Sequence, residues 1–348
     1  MTQKTPKGYM GKTSIYTIAG LLVTAALLAG AYAWFARTSP SQTAGPLEQV
    51  TIAINTEYAG SCPIFVAQEK GYFPNEGILA VIQPHTTGKA ALEAVLQGQA
   101  HLGTSADLPI MFAALNGRPV SVVATIFSTE KDHGIVARRD RGIVAPASLK
   151  GKRIGVTLGT SGHFLLDAFL NRQKLSPSEV KTLNLKPEDL SAALLQGKVD
   201  AVATWEPFLS TSLAQLGGNG TIFPGEGVYN VLFNVSGTLD YVSKHPDTMK
   251  KFLRALIRGA RFCGEAPDAA RQIAARAMKT DSARLTELWP SYRFNVVLDQ
   301  GLVLALEDQS RWAIKNKLTD RTAMPNYLDY VHLDALRSVT PSAVTIIH

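Results

Sequence analysis

Two stretches about one hundred residues apart repeat a single pattern. Val95-Leu96-Gln97-Gly98-Gln99-Ala100-His101 is echoed by Leu194-Leu195-Gln196-Gly197-Lys198-Val199-Asp200. In each copy an amphipathic helix stops at glycine and a short strand follows. An acidic residue with a nearby proline then opens the next helix: Asp107 and Pro109 in the first copy, Glu206 and Pro207 in the second. Glycine suits the left-handed position just past a helix end, and proline suits an early helical position. A fainter echo relates residues 52–65 to residues 154–165, each a strand, a Gly/Ser/Thr turn and a helix. Such a spacing is too long for a solenoid repeat and predicts two α/β lobes of similar plan, unless the echo is only the general likeness of α/β units.

The rest of the chain agrees with an α/β fold. The apolar run 49–54 reads as a buried strand, 80–83 and 101–104 as further strands, and 89–97 and 108–115 as helices. Strands over 120–127, 134–138 and 153–158 precede a helix over 161–173. This alternation predicts parallel sheets covered by helices. From about residue 240 the texture turns helical. In 247–262 the side chains Phe252, Leu253, Leu256, Ile257 and Ala260 share one face, while Lys250, Arg254, Arg258 and Arg261 line another. That basic stripe reads as a solvated helix face.

The chain of 348 residues is long enough for two lobes with separate cores. Its N-terminus carries Lys4, Lys7 and Lys12 ahead of a charge-free span, 15–35, long enough to cross a bilayer as a helix. The positive flank should stay in the cytoplasm and send the body outward. Ala31-Tyr32-Ala33 offers a signal-peptidase site, so residues 1–37 are expected to be either a cleaved signal or an uncleaved anchor. Residues 38–47 read as a flexible linker. Four of the cations behind the formal charge of +7 lie in that leader, and the body carries no dense basic face of the kind nucleic acid requires. Cys62 and Cys263 show no CxxC spacing. Buried free thiols are expected, although export would permit a disulfide.

The sharpest local signal is the turn Gly159-Thr160-Ser161-Gly162, which leads from a strand into a helix. A helix start presents unpaired N–H groups and the positive end of the dipole, and it suits a bound oxyanion. An ordinary N-cap by Thr160 or Ser161 is the structural alternative. Ser161 as a hydrolytic nucleophile is disfavoured, because His163 stands where the G-x-S-x-G elbow has glycine and no acid–histidine set elsewhere in the sequence completes a triad. The histidines show no HxH or HExxH spacing, and no P-loop or dinucleotide fingerprint appears, so neither a metal nor a cofactor is expected. Trp205-Glu206-Pro207 follows a strand at the edge where open α/β sheets bind ligands. A core tryptophan with a capping glutamate is its structural alternative. In the first lobe the turns 55–62 and 104–107 occupy the corresponding edges.

At these residues the sequence resembles the aliphatic sulfonate, taurine and nitrate binding family of ABC-transporter periplasmic proteins, which also includes binders of thiamine pyrimidine precursors. The resemblance is carried by Phe65-Val66-Ala67-Gln68-Glu69-Lys70-Gly71-Tyr72-Phe73, by Ala106-Asp107-Leu108-Pro109 with Asn116-Gly117, and by Leu149-Lys150-Gly151-Lys152. Gly159-Thr160-Ser161-Gly162-His163-Phe164, Trp205-Glu206-Pro207 and Asp240-Tyr241-Val242-Ser243-Lys244-His245-Pro246 complete it. It implies a type II periplasmic-binding-protein fold, with a first lobe over 48–146 and 229–348 and a second over 147–228, joined by a hinge around an interlobe ligand cleft. Ligand contacts are then expected among Tyr58, Gly60, Ser61, Cys62, Ser105, Asp107, Gly159, Thr160, Ser161, His163, Trp205 and Glu206. The implied function is capture of a small oxyanion outside the cytoplasm by a monomer that serves an ABC permease in the membrane. A neutral heterocycle stacked on Trp205 and Tyr58, or a sensory binding lobe, is the alternative. A fungal enzyme of pyrimidine synthesis shares the fold, but its cysteine-rich motif is absent here, and no catalytic residue is expected.

Overall fold

The structure is a computed structural model, and it describes Met1, Thr2 and residues 46–347. The expected leader and most of the linker lie outside the described residues. Among those described, no helix is long and apolar enough to cross a membrane.

From Leu47 onward, β1 (Glu48–Asn55) leads into α1 (Cys62–Glu69) and the short α2 (Tyr72–Asn75). Next come β2 (Ile78–His85), α3 (Gly88–Leu96), β3 (Leu102–Ala106), α4 (Asp107–Leu115) and β4 (Val120–Thr129). The chain then crosses to β5 (His133–Arg138), β6 (Arg153–Val156), α5 (Ser161–Arg172), β7 (Lys181–Asn184) and α6 (Pro187–Leu195). After β8 (Ala201–Trp205), α7 (Phe208–Leu216) and β9 (Gly220–Pro224) it returns through β10 (Val231–Thr238). Five helices follow: α8 (Leu239–Lys244), α9 (Pro246–Glu265), α10 (Pro267–Met278), α11 (Gln300–Lys315) and α12 (Leu333–Val339).

The strands form two five-stranded sheets, in the orders β2-β1-β3-β10-β4 and β7-β6-β8-β5-β9. Each has three parallel strands and an antiparallel fourth, β10 in one and β5 in the other. In each sheet that fourth strand adjoins one of the two chain crossings. The sequence echo thus corresponds to two sheets of one plan. β5 pairs with β8 and β9, so by sheet membership the first crossing lies between Thr129 and His133, ahead of the expected division at 146/147. That difference has a plain cause. The polar break at 128–132 separates β4 from β5 but does not say which sheet β5 joins, whereas Gly151 at the entry to β6 is the conspicuous punctuation.

Both copies of the echo end their helix alike. Gly98 (φ 74°) and Gly197 (φ 68°) take the left-handed position. The next residue's N–H reaches back to a carbonyl five residues earlier, Gln99 to Ala94 at 2.8 Å and Lys198 to Ala193 at 2.9 Å. This is the Schellman arrangement.

The main core belongs to the first sheet and its helices and includes Ile52, Phe73, Leu102, Phe127, Phe233 and Phe252. Smaller clusters around Ile154, Leu166 and Phe169, and around Leu190, Val202 and Leu209, lie on the second sheet. α9 buries Phe252, Leu253, Leu256 and Ala260 as its periodicity predicts, with Ile257 partly buried. Its basic face is engaged locally, Arg254 with Glu76 at 2.6 Å and Arg258 over the Tyr72 ring at 4.0 Å. The free edge of β4 is covered by the segment that bridges to it at Arg293 and Val297, which removes an exposed strand edge.

The expectation of free thiols is overturned. Cys62 at the start of α1 and Cys263 near the end of α9 form a disulfide, with their Cα atoms 6.4 Å apart. Only the packing of α9 on α1 brings residues 201 apart in sequence into bonding reach, and no spacing rule anticipates that contact.

Candidate functional site

The carboxyl ends of β1, β3, β6 and β8 face a cavity of about 360 Å³, counting all space not filled by atoms and the open solvent at its mouth. Asn55 and Tyr58 line it from the turn after β1, Ala106 and Pro109 from the start of α4, and Trp205 from the end of β8. Two helix starts converge on it: Thr87, Gly88 and Lys89 at the head of α3, and Thr160 and Ser161 at the head of α5. His133, Val231 and Phe233 complete the wall.

The two helix starts differ. At α3 the Thr87 hydroxyl accepts from the Ala90 N–H at 3.0 Å, a conventional side-chain cap. At α5 Thr160 holds the cap position with extended backbone but makes no side-chain cap. Its hydroxyl donates instead to the Thr157 carbonyl at 2.7 Å. The first N–H groups of α5 therefore keep their capacity to meet an acceptor from the cavity. Gly159, at φ 72°, turns the chain into this helix and leaves room for Lys89. A Cβ at Gly159 would stand 2.9 Å from the Lys89 Nζ, which donates to the Leu158 carbonyl at 3.0 Å.

Behind Ser161 lies a buried polar chain. Ser161 Oγ is 2.8 Å from His133 Nε2, and His133 Nδ1 is 2.6 Å from Asp132 Oδ1. The Tyr58 hydroxyl donates to the other Asp132 oxygen at 2.6 Å. Asp132 is 0% exposed, His133 3% and Ser161 7%. Burial and the neighbouring carboxylate push Tyr58 well above the usual tyrosine range, so its hydroxyl stays a donor. These contacts correct the expectation that no acid–histidine pair serves Ser161. The partner is His133, 28 residues earlier, and the distances match a nucleophile–base–acid set.

Of the residues expected at the ligand, Tyr58, Thr160, Ser161 and Trp205 come together around the cavity. The others do not line it. Gly60 is a packing position, where a Cβ would lie 2.5 Å from the Tyr58 ring. The Ser61 hydroxyl donates to the Asn55 carbonyl at 2.7 Å, and Cys62 is in the disulfide. Ser105 is buried beneath Gly88 with no hydrogen-bond partner for its hydroxyl. Asp107 is buried and accepts from Tyr229, from Gln309 at 2.7 Å and from the Leu108 N–H at 3.0 Å. Burial raises it to about 6 against the pull of those donors. His163 points away from the cavity, edge-on to Trp312 at 5.1 Å, and burial, helped by Lys89, lowers it to about 4. Glu206 joins Pro207 through a cis peptide and accepts from the Ser210 N–H at 3.2 Å. Burial raises its carboxyl.

Lys89, His133, Asp132 and Phe233 are additions to the expected set, whereas Asn55 belongs to the turn 55–62 already placed at this edge. Thr86-Thr87-Gly88-Lys89 is a Gly/Thr turn into a helix, the same signal as the turn at Thr160, and it would have found Lys89. Asp132-His133 has no local signature, since it acquires its partners only through the crossing between the sheets. Among the described residues no group of His, Cys, Asp and Glu is placed to hold a metal ion.

Two α/β lobes of matched topology around a polar cavity define the class of two-lobed binding folds. The chain belongs to the NMT1/THI5-like family, which matches residues 59–270. An aliphatic sulfonates-binding protein by name, from Bacillus subtilis, is 25% identical over 282 residues, 79% of this chain and 83% of the relative. The 4-amino-5-hydroxymethyl-2-methylpyrimidine phosphate synthase of Schizosaccharomyces pombe is 25% identical over 210 residues, 56% of this chain and 59% of the relative. The crystal structure of the periplasmic aliphatic sulphonate binding protein from Escherichia coli shares the fold, with a TM-score of 0.69 at 20% identity over 81% of this chain and 99% of that one.

Proposed function

We propose that this protein captures a small organic oxyanion, of the alkanesulfonate kind, outside the cytoplasm and presents it to an ABC permease. The observation that carries this reading is the cavity's mixed lining. The uncapped head of α5, the head of α3 and Lys89 supply donors and positive charge. Trp205, Phe233, Val231 and Pro109 supply apolar surface beside them. A sulfonate headgroup on a short alkyl chain combines the same two kinds of surface. The relatives named for sulfonates support the choice. The N-terminal charge-free span supports export, as a cleaved signal or as a tether.

Calorimetry with ethanesulfonate, taurine, nitrate and a hydroxymethylpyrimidine tests the assignment. Binding of the sulfonates with a rise in melting temperature is expected. Binding of the pyrimidine alone would give the site to a neutral heterocycle. The Ser161–His133–Asp132 geometry makes one further control necessary. Labelling of Ser161 by a fluorophosphonate would overturn the binding assignment in favour of acyl transfer.

A further inference from the structure

The hydrogen bonds behind Ser161 tie what that side chain can offer a ligand to the number of protons on His133. A carboxylate only accepts, and Asp132 already accepts from the Tyr58 hydroxyl, so the proton between Asp132 and His133 sits on His133 Nδ1. In the neutral ring Nε2 is then an acceptor. The Ser161 hydroxyl, 2.8 Å away, must spend its single proton on it. What Ser161 turns toward the cavity is lone pairs, which repel an oxyanion. If His133 takes a second proton, Nε2–H donates to Ser161 Oγ and the serine proton is released toward the ligand.

We propose that His133 is the specificity-determining residue of this cavity, and that capture of an oxyanion is coupled to uptake of one proton by the Asp132–His133–Ser161 chain. The inference rests on the oxyanion reading above and deepens it. A ligand that presents a hydrogen-bond donor to Ser161, such as an amine or a pyrimidine N–H, binds the neutral chain without proton uptake. The coupling therefore separates these two ligand classes.

The charged and titratable groups around His133 are few. Asp132 precedes it, Tyr58 reaches the same carboxylate from the turn after β1, and the Tyr229 ring lies edge-on at 5.6 Å. Glu206 follows Trp205 on the neighbouring strand β8, and Lys89 lines the same cavity. Tyr292 lies within electrostatic reach of Asp132 and Glu206. Farther along α5, His163 and Asp167 pack on Trp312 rather than on the cavity. Glu206 competes for the proton, as do Asp107, which is bonded to the Tyr229 hydroxyl, and Asp167, both raised by burial to about 6, so the test must separate them from His133.

Titrate the full exported body with ethanesulfonate by calorimetry from pH 5.5 to 8.5, in buffers of different ionisation enthalpy. Ethanesulfonate stays ionised throughout, so any proton taken up goes to the protein. Uptake approaching one proton per ligand is expected at the alkaline end, with affinity rising up to about tenfold per pH unit of acidification there. His133→Gln should bind with no uptake and no pH slope. Uptake that persists in this variant would assign the proton to one of these carboxyls and overturn the proposal. Nitrogen NMR of histidine-labelled wild-type protein gives a second readout independent of any variant. One ring should pass from the Nδ1–H tautomer to the doubly protonated form on adding ethanesulfonate. Binding with no uptake and no tautomer change would refute the coupling alone, whereas no binding of any sulfonate would refute the oxyanion reading itself.

Discussion

Lys89 is the cation nearest the head of α5, held over the turn by its bond to the Leu158 carbonyl. Exchanging that one carbonyl for an anion's oxygens, with the charge retained at the cavity mouth, should favour binding modestly, because the side chain is exposed. Lys89→Ala is expected to weaken ethanesulfonate about tenfold, roughly 1.4 kcal/mol, and an unchanged dissociation constant would put the anion elsewhere. Asp167 makes a separate case. Its buried carboxyl accepts from Trp312 Nε1 at 3.0 Å and is raised by burial to about 6 from 3.8. A raised folded value means that the folded state holds the proton more firmly. This contribution is complete below about pH 4 and is lost as pH rises to about 6. His163, lowered to about 4, has the opposite sign, its contribution being lost as pH falls from 6.5 toward 4. Asp167→Asn keeps the acceptor for Trp312 and removes the buried charge. Its gain in stability over wild type should therefore grow from near zero at pH 4 to about 1–3 kcal/mol above pH 7. A constant difference across that range by thermal denaturation would show that Asp167 does not titrate with folding. At this scale the sequence revealed Thr160, Ser161 and Trp205, because their turns are local. It hid His133 and Asp132, whose partners arrive from other elements.

The elements were more legible than the residues. Hydrophobic periodicity placed α3, α4, α5 and α9 to within a residue or a few at each end, and the glycine echo announced two matching sheets. What periodicity could not show is how closely elements approach. Gly259 lies in the middle of α9, where glycine weakens a helix, and nothing nearby in sequence explains it. The packing does: a Cβ there would fall 2.1 Å from the Pro63 carbonyl oxygen, so α9 rests directly on the backbone of α1. Gly259→Ala should gain helix propensity yet lower the melting temperature, through a stability loss in the range of other overpacked cores, about 1–3 kcal/mol. A neutral or stabilised variant would mean that α9 shifts freely. The disulfide closes the same contact, since Cys263 follows Gly259 by one turn. Its loss in a Cys62→Ala, Cys263→Ala double variant should cost about 2–5 kcal/mol, measured by denaturant titration against the oxidised protein. An equal midpoint for the two would show that the bridge adds nothing to packing.

At the scale of the molecule, the two sheets are held against one another around the cavity by bonds that no strand or helix contains. Lys89 on α3 reaches the Leu158 carbonyl beyond β6, and Trp312 on α11 reaches Asp167 on α5. The indole also packs edge-on against His163 at 5.1 Å and Phe164 at 5.3 Å. Among the described residues the chain crosses between the sheets only at residues 129–133 and 224–231, so opening of a cleft about those crossings is expected to break these contacts. Trp312 does not line the cavity, which makes it a probe of closure separate from direct ligand contact. Trp312→Phe leaves the Asp167 carboxyl buried without its donor, and that cost falls on the closed arrangement alone. With a ligand held between the two sheets, the closed fraction and the apparent affinity are expected to drop together. We expect ethanesulfonate to bind roughly five- to tenfold more weakly, with an increased radius of gyration for the free variant in small-angle scattering and a near-normal one at ligand saturation. Equal affinity and equal dimensions in both states would mean that the Trp312 contact is mere packing, and that closure is governed at the two crossings themselves.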